Sequence, residues 1–261
     1  MSKESRLEGL TAAEADEIEK EWRQLDAINI QRTAEGNGKF TMTCTFPGSP
    51  FATKSATEVL TAIPVVSTAA TLTTKKTTNF SNIEDEYRRN FELFKLRPER
   101  EAAVLARCKT ILKERDRYEA LGSQLGIPWT FIGIVHSLES GCNFQRHLHN
   151  GDPLSARTVQ VPTGRPEDLA PPFTWEQSAK DALRMKHLAA LNDWGIATTL
   201  FRWESYNGMG YRTRGLPSPY LWSFSDLYRK GKFVADHKFD PEAVSQQPGA
   251  AVLLRTLQSM N

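Results

Sequence analysis

The sequence predicts a mainly helical protein with one small β-hairpin region, and three observations support this prediction. Apolar residues recur at helical spacing in several windows of the second half of the chain. Residues that start and stop helices bound those windows, with Pro or a capping pair before them and Gly after them. Residues 143–172 are instead rich in Gly, Pro, Asn and Asp, which is typical of an irregular or hairpin segment. With 261 residues, 39% of them hydrophobic, the chain can bury a core.

Composition excludes several classes of protein. The net charge of +2 gives no electrostatic argument for a nucleic-acid partner. Three cysteines cannot form a disulfide framework, and the odd count fits a reducing compartment. The N-terminus is too charged for a secretory signal, and the apolar stretch 59–72 is too short to span a membrane. We therefore expect a protein that is made in the cytoplasm, needs no cofactor and reaches any external substrate by release or by another delivery system.

The first predicted element is a helix over residues 12–31, which opens with a capping box at Thr11. Ile18, Trp22 and Leu25 recur on one face of it, and the rest is charged. A stripe this narrow needs a partner surface. The sequence therefore raises the hypothesis that this helix docks onto a carrier or another partner.

The next segments are a short strand and a linker. Residues 39–46 alternate weakly and predict the strand. Residues 51–82 are dense in Thr, Ser and Ala, which bury too little apolar area to offset their ordering entropy. The alternative for residues 52–78 is one or two strands. The predicted organisation is an N-terminal helix with a short extension (1–50), a linker (51–82) and a compact domain (83–261).

The compact domain is predicted to hold helices at intervals to its end. Pro128 and Gly141 bound one of them, and the capping box of Thr174 with Gln177 opens another. Asp240 with Pro241 is predicted to open the last. The predicted helices span residues 84–95, 99–121, 129–140, 175–192, 196–206, 220–229 and 241–257.

Glu139 is the most informative candidate for chemistry. It lies at the end of the otherwise apolar run IPWTFIGIVHSLESG. Apolar surroundings and the partial negative charge of a helix C-terminus both disfavour the carboxylate and raise its pKa. A carboxylic acid that stays protonated near neutral pH is what glycosidic bond cleavage requires, because the leaving oxygen must receive a proton. The alternative is a solvent-exposed Glu at a frayed helix end.

Two later segments extend this pattern. Gln160 and Pro162 follow the Gly- and Asp-rich region, and Tyr206-Asn207 ends a predicted helix. With Glu139-Ser140-Gly141 before them, the ordered set resembles the lysozyme superfamily, specifically goose-type lysozymes and soluble lytic transglycosylases. The resemblance covers residues 97–257. It implies a lysozyme-like α+β fold with a small β-hairpin region beside the active-site cleft.

The resemblance also implies roles for individual residues. Glu139 would be the catalytic acid, and the Tyr206 hydroxyl would orient it. Gln160 and Asn207 would bind the N-acetyl or hydroxyl groups of the sugars. Apart from the resemblance, the His149 imidazole is a further candidate for a hydrogen bond to a sugar hydroxyl. The linkage to be cleaved would join N-acetylmuramic acid to N-acetylglucosamine in peptidoglycan, as in an endolysin.

Asp152 decides between two mechanisms. An inverting hydrolase needs a second carboxylate as base, and Asp152 is the best candidate. The alternative is that Asp152-Pro153 only makes a turn. A lytic transglycosylase needs no such base, because a hydroxyl of the sugar itself attacks the anomeric carbon.

Other chemistries have weaker support. His147 and His149, with His136 and Asp152 nearby in sequence, are residue types that bind zinc, but no Cys pair accompanies them and no metal is predicted. Cys142 has no separate sequence support as a nucleophile.

Residues 211–220 lack a helix signal, and we expect groove-lining side chains there. Arg212 and Arg214 are expected to be solvated, with attraction of an anionic wall polymer as the alternative. The alternatives to peptidoglycan cleavage are a non-catalytic module that binds the wall or a partner on the same scaffold, and a chitin-directed glycosidase.

Overall fold

The computed structural model describes residues 3–24, 27–46, 74–189, 191–235 and 238–260. The described residues before position 47, with 79–81, form one compact unit, and those of 74–78 and 82 onward form a second. Residues 47–73, which include most of the predicted linker over 51–82, lie outside the described residues, and so does Leu25. Among the described helices, none is long and apolar enough to cross a membrane.

The N-terminal unit packs one helix on a three-stranded antiparallel sheet in the order β1-β3-β2. Ala15, Ile18 and Trp22 of the helix are buried with Met42 and Cys44 of the central strand. The elements are β1 (Lys3–Leu10), α1 (Ala12–Gln24), β2 (Ile28–Glu35) and β3 (Lys39–Phe46).

This unit confirms the strand at 39–46 and corrects two predictions. The helix ends at Gln24, and β2 replaces its predicted last turns. The apolar stripe of Ile18 and Trp22 has its partner within the chain, on β3, so it gives no support for docking onto a carrier. The sequence did not predict β1 or β2, and the mostly exposed side chains of β2 lack the alternation that marks a half-buried strand.

The C-terminal unit is mainly helical, as predicted, and it is built around one buried helix. Every residue from Phe131 to Leu138 of that helix is buried, and helices on several sides pack against it. A helix that is apolar all round is stable only inside a core. The helices are α2 (Glu84–Leu93), α3 (Glu101–Lys113), α4 (Arg115–Leu125), α5 (Trp129–Ser140), α6 (Trp175–Met185), α7 (Ile196–Asn207), α8 (Gly210–Thr213), α9 (Pro219–Trp222) and α10 (Ala250–Met260), with 3₁₀ turns at Phe80–Asn82 and Pro98–Arg100.

Local signals predicted several helix ends correctly. The α5 bounds agree with the prediction, and Gly141 ends the helix with a left-handed φ of 64°. The capping box that joins Thr174 to Gln177 is present at the start of α6.

Other predicted helices are wrong. The helix over 99–121 is interrupted at Glu114, and the one over 220–229 shrinks to α9. The final helix begins at Ala250, because the Asp240 carboxylate accepts from the backbone N–H groups of Glu242 and Ala243 in a turn that does not continue as a helix.

The predicted β-hairpin is displaced along the chain. Residues 143–174 form an irregular loop whose only β-bridge joins Arg146 to Pro153. The hairpin is instead formed by β4 (Lys232–Ala235) and β5 (Lys238–Asp240), which pair antiparallel. The Gly- and Pro-rich composition therefore indicated irregular backbone correctly but not its pairing.

Gly122 allows α4 to approach the start of α5. A Cβ at this position would lie 2.4 Å from the carbonyl oxygen of Ile127. We expect Gly122→Ala to lower the free energy of unfolding by about 1–3 kcal/mol, since a backbone carbonyl cannot move aside as a side chain can. The measurement is urea unfolding. Ser123→Ala, at the exposed neighbour in the same helix, controls for helix propensity. A stabilised Gly122→Ala, the usual effect of this change in a helix, would contradict the clash.

Candidate active site

Helix α5 places Glu139 where a buried helix reaches the surface. The residues before it are buried, Glu139 and Ser140 are half-buried, and Gly141 turns the chain away. The following loop packs against this end, and a Cβ on Gly151 would lie 3.5 Å from the Glu139 carbonyl oxygen. The carboxyl group therefore stands at the junction of an apolar core and a polar loop.

Tyr220 holds the Glu139 side chain. Its hydroxyl donates to Oε1 of Glu139 over 2.9 Å. The other carboxyl oxygen, Oε2, has no hydrogen-bond partner among the described residues, which leaves it to carry a transferable proton. The ring of Tyr220 is buried, so its hydroxyl is held in position.

The tyrosine that contacts Glu139 is Tyr220 and not Tyr206, the residue that the sequence predicted. Tyr206 was predicted to orient the acid, but its hydroxyl donates to the Leu148 carbonyl over 3.2 Å. Tyr206 is still close enough for the Glu139 charge to raise its pKa, after burial, which is the larger cause. Tyr206 thus anchors the loop beside the acid, and Tyr220 contacts the acid itself.

The surroundings of Glu139 favour its protonated form. Burial raises the pKa of Glu139, while the Tyr220 hydrogen bond and the Lys186 charge oppose that rise only in part. Lys186 follows α6, and its Nζ lies 5.5 Å from the centre of the Tyr206 ring. The net effect is a carboxylic acid that keeps its proton to higher pH than an exposed Glu does.

Asp152 holds the shape of the loop. Its Oδ2 accepts from the backbone N–H groups of Val159 at 2.9 Å and Gln160 at 3.1 Å. Burial favours the neutral form, but the two N–H donors, a hydrogen bond with Asn150 and the charge of His147 together outweigh it, and the pKa of Asp152 is lowered. Asp152 is therefore an ionised acceptor whose bonds join the two ends of the segment that carries Gln160.

The histidines fix the same loop to α6. His147 contacts the Ser178 hydroxyl at 2.8 Å and the Ala156 carbonyl at 2.8 Å. The His149 side chain is fully buried, and its Nε2 lies 2.7 Å from Oδ2 of Asp181. This burial and the contact with Asp181 give no support to the predicted sugar contact of His149. Within the described part of the chain, no group of three His, Cys, Asp or Glu residues is placed to hold a metal ion.

The two predicted amide contacts lie on different segments. Gln160 is exposed in the loop between exposed Val159 and Val161. Asn207 is exposed at the end of α7, where Gly208 has a φ of 97°. The structure brings Asn207, but not Gln160, to the cleft beside Tyr220.

That cleft has a volume of about 420 Å³. Tyr220 forms part of one wall, and Lys232 to Ala235 of the displaced β-hairpin form another. Tyr211 and Phe233, whose rings pack edge to face at 5.0 Å, also line it. The expectation of groove-lining residues in 211–220 is thus met by Tyr211, Pro219 and Tyr220.

The surroundings of Cys142 argue against the alternative that this residue is a nucleophile. Burial raises the pKa of the Cys142 thiol, despite opposing hydrogen bonds from Tyr118, Ser137 and Arg107. A thiol, rather than a thiolate, is a weak nucleophile. Nearby His136 is buried, and burial lowers its pKa to about 4.

Arg212 is buried and not solvated, contrary to expectation. Its guanidinium bonds to Glu204 at 2.9 Å and to Glu86 at 3.0 Å, and the Tyr87 hydroxyl also donates to Glu204. This cluster joins α2, α7 and α8, so it fixes the end of α7 that carries Tyr206 and Asn207.

Sequence reasoning missed Tyr220 and Lys186 as neighbours of Glu139. They lie 81 and 47 positions away along the chain, and no local pattern links them to the acid. The one available signal was the lack of a helix pattern before Tyr220, which indicated a surface groove. Tyr220 and Lys186 become neighbours of Glu139 only because α9 and the end of α6 lie close to the end of α5 in the folded protein.

Comparison with known proteins gives no family assignment: no family model, no curated protein and no solved structure matches this chain. The lysozyme-like resemblance therefore rests on the ordered sequence motifs alone.

Proposed function

We propose that this protein cleaves the glycosidic bond between N-acetylmuramic acid and N-acetylglucosamine in peptidoglycan, on a lysozyme-like scaffold, with Glu139 as the general acid. The observation that carries the proposal is the half-buried Glu139 carboxyl, which is held by Tyr220 and has its pKa raised by burial. It stands at the end of a buried helix, the position that the Glu-Ser-Gly motif implies for the acid. Chitin shares the N-acetyl sugar and is the alternative substrate.

Glu139 acts in the first step. Its proton passes to the oxygen of the leaving sugar as the bond from that oxygen to the anomeric carbon breaks, and positive charge develops on the remaining sugar ring. The Tyr220 hydroxyl then stabilises the carboxylate that forms, because it already donates to Oε1.

The second step is attack on the anomeric carbon. Asp152 uses Oδ2 to accept from two backbone N–H groups, which favours a loop-holding role over that of a base. We therefore favour attack by the C6 hydroxyl of the same muramic acid, which returns its proton to Glu139 and gives a 1,6-anhydro end. Attack by water, with Asp152 as base, gives a reducing end instead.

The cleft beside Tyr220 supplies surfaces that suit an N-acetyl sugar, and Tyr220 connects it to Glu139, which does not itself line it. The half-buried Phe233 offers apolar ring surface, and the exposed Asn207 amide at the rim can both donate and accept hydrogen bonds. A volume of about 420 Å³ lies within the range typical of small-molecule sites. Gln160, on the loop that Asp152 holds, remains a predicted contact for a more distant part of the glycan.

Product analysis tests this proposal directly. Purified peptidoglycan sacculi are incubated with the protein, and the soluble fragments are identified by mass spectrometry. New 1,6-anhydro muramic ends support transglycosylation, and new reducing ends support hydrolysis. Sacculi that yield no new sugar ends with the wild-type protein would overturn the proposal and favour a binding module.

Tyr220→Phe tests the orienting contact. Loss of the hydroxyl removes a hydrogen bond that favours the carboxylate, so the pKa of Glu139 rises further and the alkaline limit of activity moves to higher pH. We also expect about ten- to a hundredfold lower activity at the optimum, because the acid is less well positioned. The measurement is the pH profile of wall cleavage.

Tyr206→Phe is the matched control, since its hydroxyl donates to Leu148 and not to Glu139. Its pH profile should keep the wild-type alkaline limit. The reverse result, with the limit moved by Tyr206→Phe and not by Tyr220→Phe, would assign the orienting role to Tyr206.

A further inference from the structure

A second concave site lies at the opposite end of α5 from Glu139. It has a volume of about 400 Å³ and forms where α4 ends, α5 begins and the segment before α7 passes over both. Its lining includes Trp129, Trp194, Ser123 and Glu119. Ten residues at about 1.5 Å rise separate Trp129 from Glu139, so the site is about 15 Å from the acid along the helix.

Two half-buried tryptophans give this site its apolar surface. The Trp194 indole is fixed, because Nε1 donates to the carbonyls of Gly126 at 2.9 Å and Leu191 at 3.1 Å. Its ring also packs against Phe131 with the ring centres 5.0 Å apart. A ring held this firmly loses little further freedom when a ligand packs against it.

The charged residue in the lining of this site, Glu119, has a partner of opposite charge. Glu119 pairs with Arg115 at 2.6 Å, and the Arg115 guanidinium lies 5.0 Å from the centre of the Trp129 ring. The exposed Ser123 hydroxyl has no hydrogen-bond partner among the described residues. The lining thus offers the Ser123 hydroxyl and the Glu119 carboxylate, whose charge is paired with Arg115 outside the lining, beside the two indole rings.

We propose that this cavity, the tryptophan site, is a second sugar-binding site that takes an N-acetylhexosamine unit of the glycan outside the cleavage cleft. A pyranose ring has one apolar C–H face for an indole and a rim of hydroxyl and amide groups for Ser123 and Glu119. The sugar class rests on the proposed function, but binding here does not require cleavage. The site holds a strand at a second point and keeps the protein on an insoluble substrate.

The test follows the tryptophan side chains directly. The ¹⁵N-labelled full-length protein is titrated with N-acetylglucosamine tetrasaccharide, and the indole N–H signals are recorded by NMR. Signals of Trp129 and Trp194 are assigned from Trp129→Ala and Trp194→Phe. No tryptophan lines the cleft beside Tyr220, so these signals report the tryptophan site alone. We expect both to shift with one saturation curve.

Ser123→Arg fills the cavity from an exposed helix position and leaves both indoles in place. It should weaken the titration of these two signals, and the retention of protein on sacculi, by about tenfold or more. Phe91→Ala is the matched control, because Phe91 is also a half-buried ring beside an arginine, Arg255, outside the site.

The outcomes separate this proposal from the proposed function. Unshifted indole signals at saturating sugar, or equal losses in Ser123→Arg and Phe91→Ala, would overturn the tryptophan site. Shifted signals in a protein that leaves sacculi uncut would support the site and reject cleavage. Retention on sacculi that Ser123→Arg reduces but the tetrasaccharide cannot displace would mean that the wall peptide is bound, which also overturns a sugar site.

Discussion

Glu139→Gln is expected to lower cleavage of purified walls by about 10²–10⁴-fold, the usual contribution of a general acid. The amide keeps the shape of the side chain and can still accept from Tyr220, but it has no proton to give to the leaving oxygen. Glu92→Gln, at an exposed position on α2, is the control and should keep wild-type activity. Unchanged cleavage by Glu139→Gln would reject Glu139 as the acid.

Although Glu139→Gln should lower activity, it should not lower stability at neutral pH. Since burial raises the pKa of Glu139 in the folded state, folding opposes its ionisation. This penalty is absent below the unfolded pKa of about 4.5, grows as the pH rises through it, and is complete above the folded pKa. Glu139→Gln removes the penalty, so it should be equally or more stable than wild type at neutral pH, with the difference shrinking in mild acid.

Thermal melts of both proteins between about pH 4 and 8 measure this difference. Wild-type activity should fall on the alkaline side, as Glu139 loses its proton. A Glu139→Gln protein clearly less stable than wild type at neutral pH, with the gap closing in acid, would mean that favourable partners hold the carboxylate. That result would contradict the general-acid assignment.

Arg212→Leu is expected to lower the free energy of unfolding by about 3–5 kcal/mol. Arg212 is 2% exposed and pairs with Glu86 and Glu204, which are 2% and 1% exposed. Removal of the guanidinium leaves two buried carboxylates without their cation. Neither carboxylate is exposed enough for water to replace that interaction. The measurement is urea unfolding of the full chain.

Two further variants show whether Arg212→Leu loses stability because charges are left buried or for another reason. Arg229→Leu, at an exposed arginine, should change stability by less than about 0.5 kcal/mol. Replacement of the whole cluster by Glu86→Leu, Glu204→Leu and Arg212→Met should recover part of the loss, because no charge is then left buried. A triple variant less stable than Arg212→Leu would show that the cluster acts through shape and hydrogen bonds more than through charge.

Local signals in the sequence determined the elements with strong ends and strong periodicity. Helix α5 was predicted with its correct bounds because Pro128, an apolar run and Gly141 all act within that segment. The helix predicted to follow Asp240 failed, since the same N-cap chemistry also closes a simple turn. Helix start and stop signals thus predicted a helix correctly only where the packed structure also favours a helix.

The sequence by itself determined the mainly helical class and the helix that presents Glu139, but it left open whether this residue is buried or exposed. Tertiary structure alone decided which tyrosine holds the carboxyl, that His149 and Asp152 hold the loop, and that Arg212 is buried between two carboxylates. The physical reason is distance along the chain. Helix caps and periodicity act within a few residues, whereas these contacts join segments that only core packing brings together.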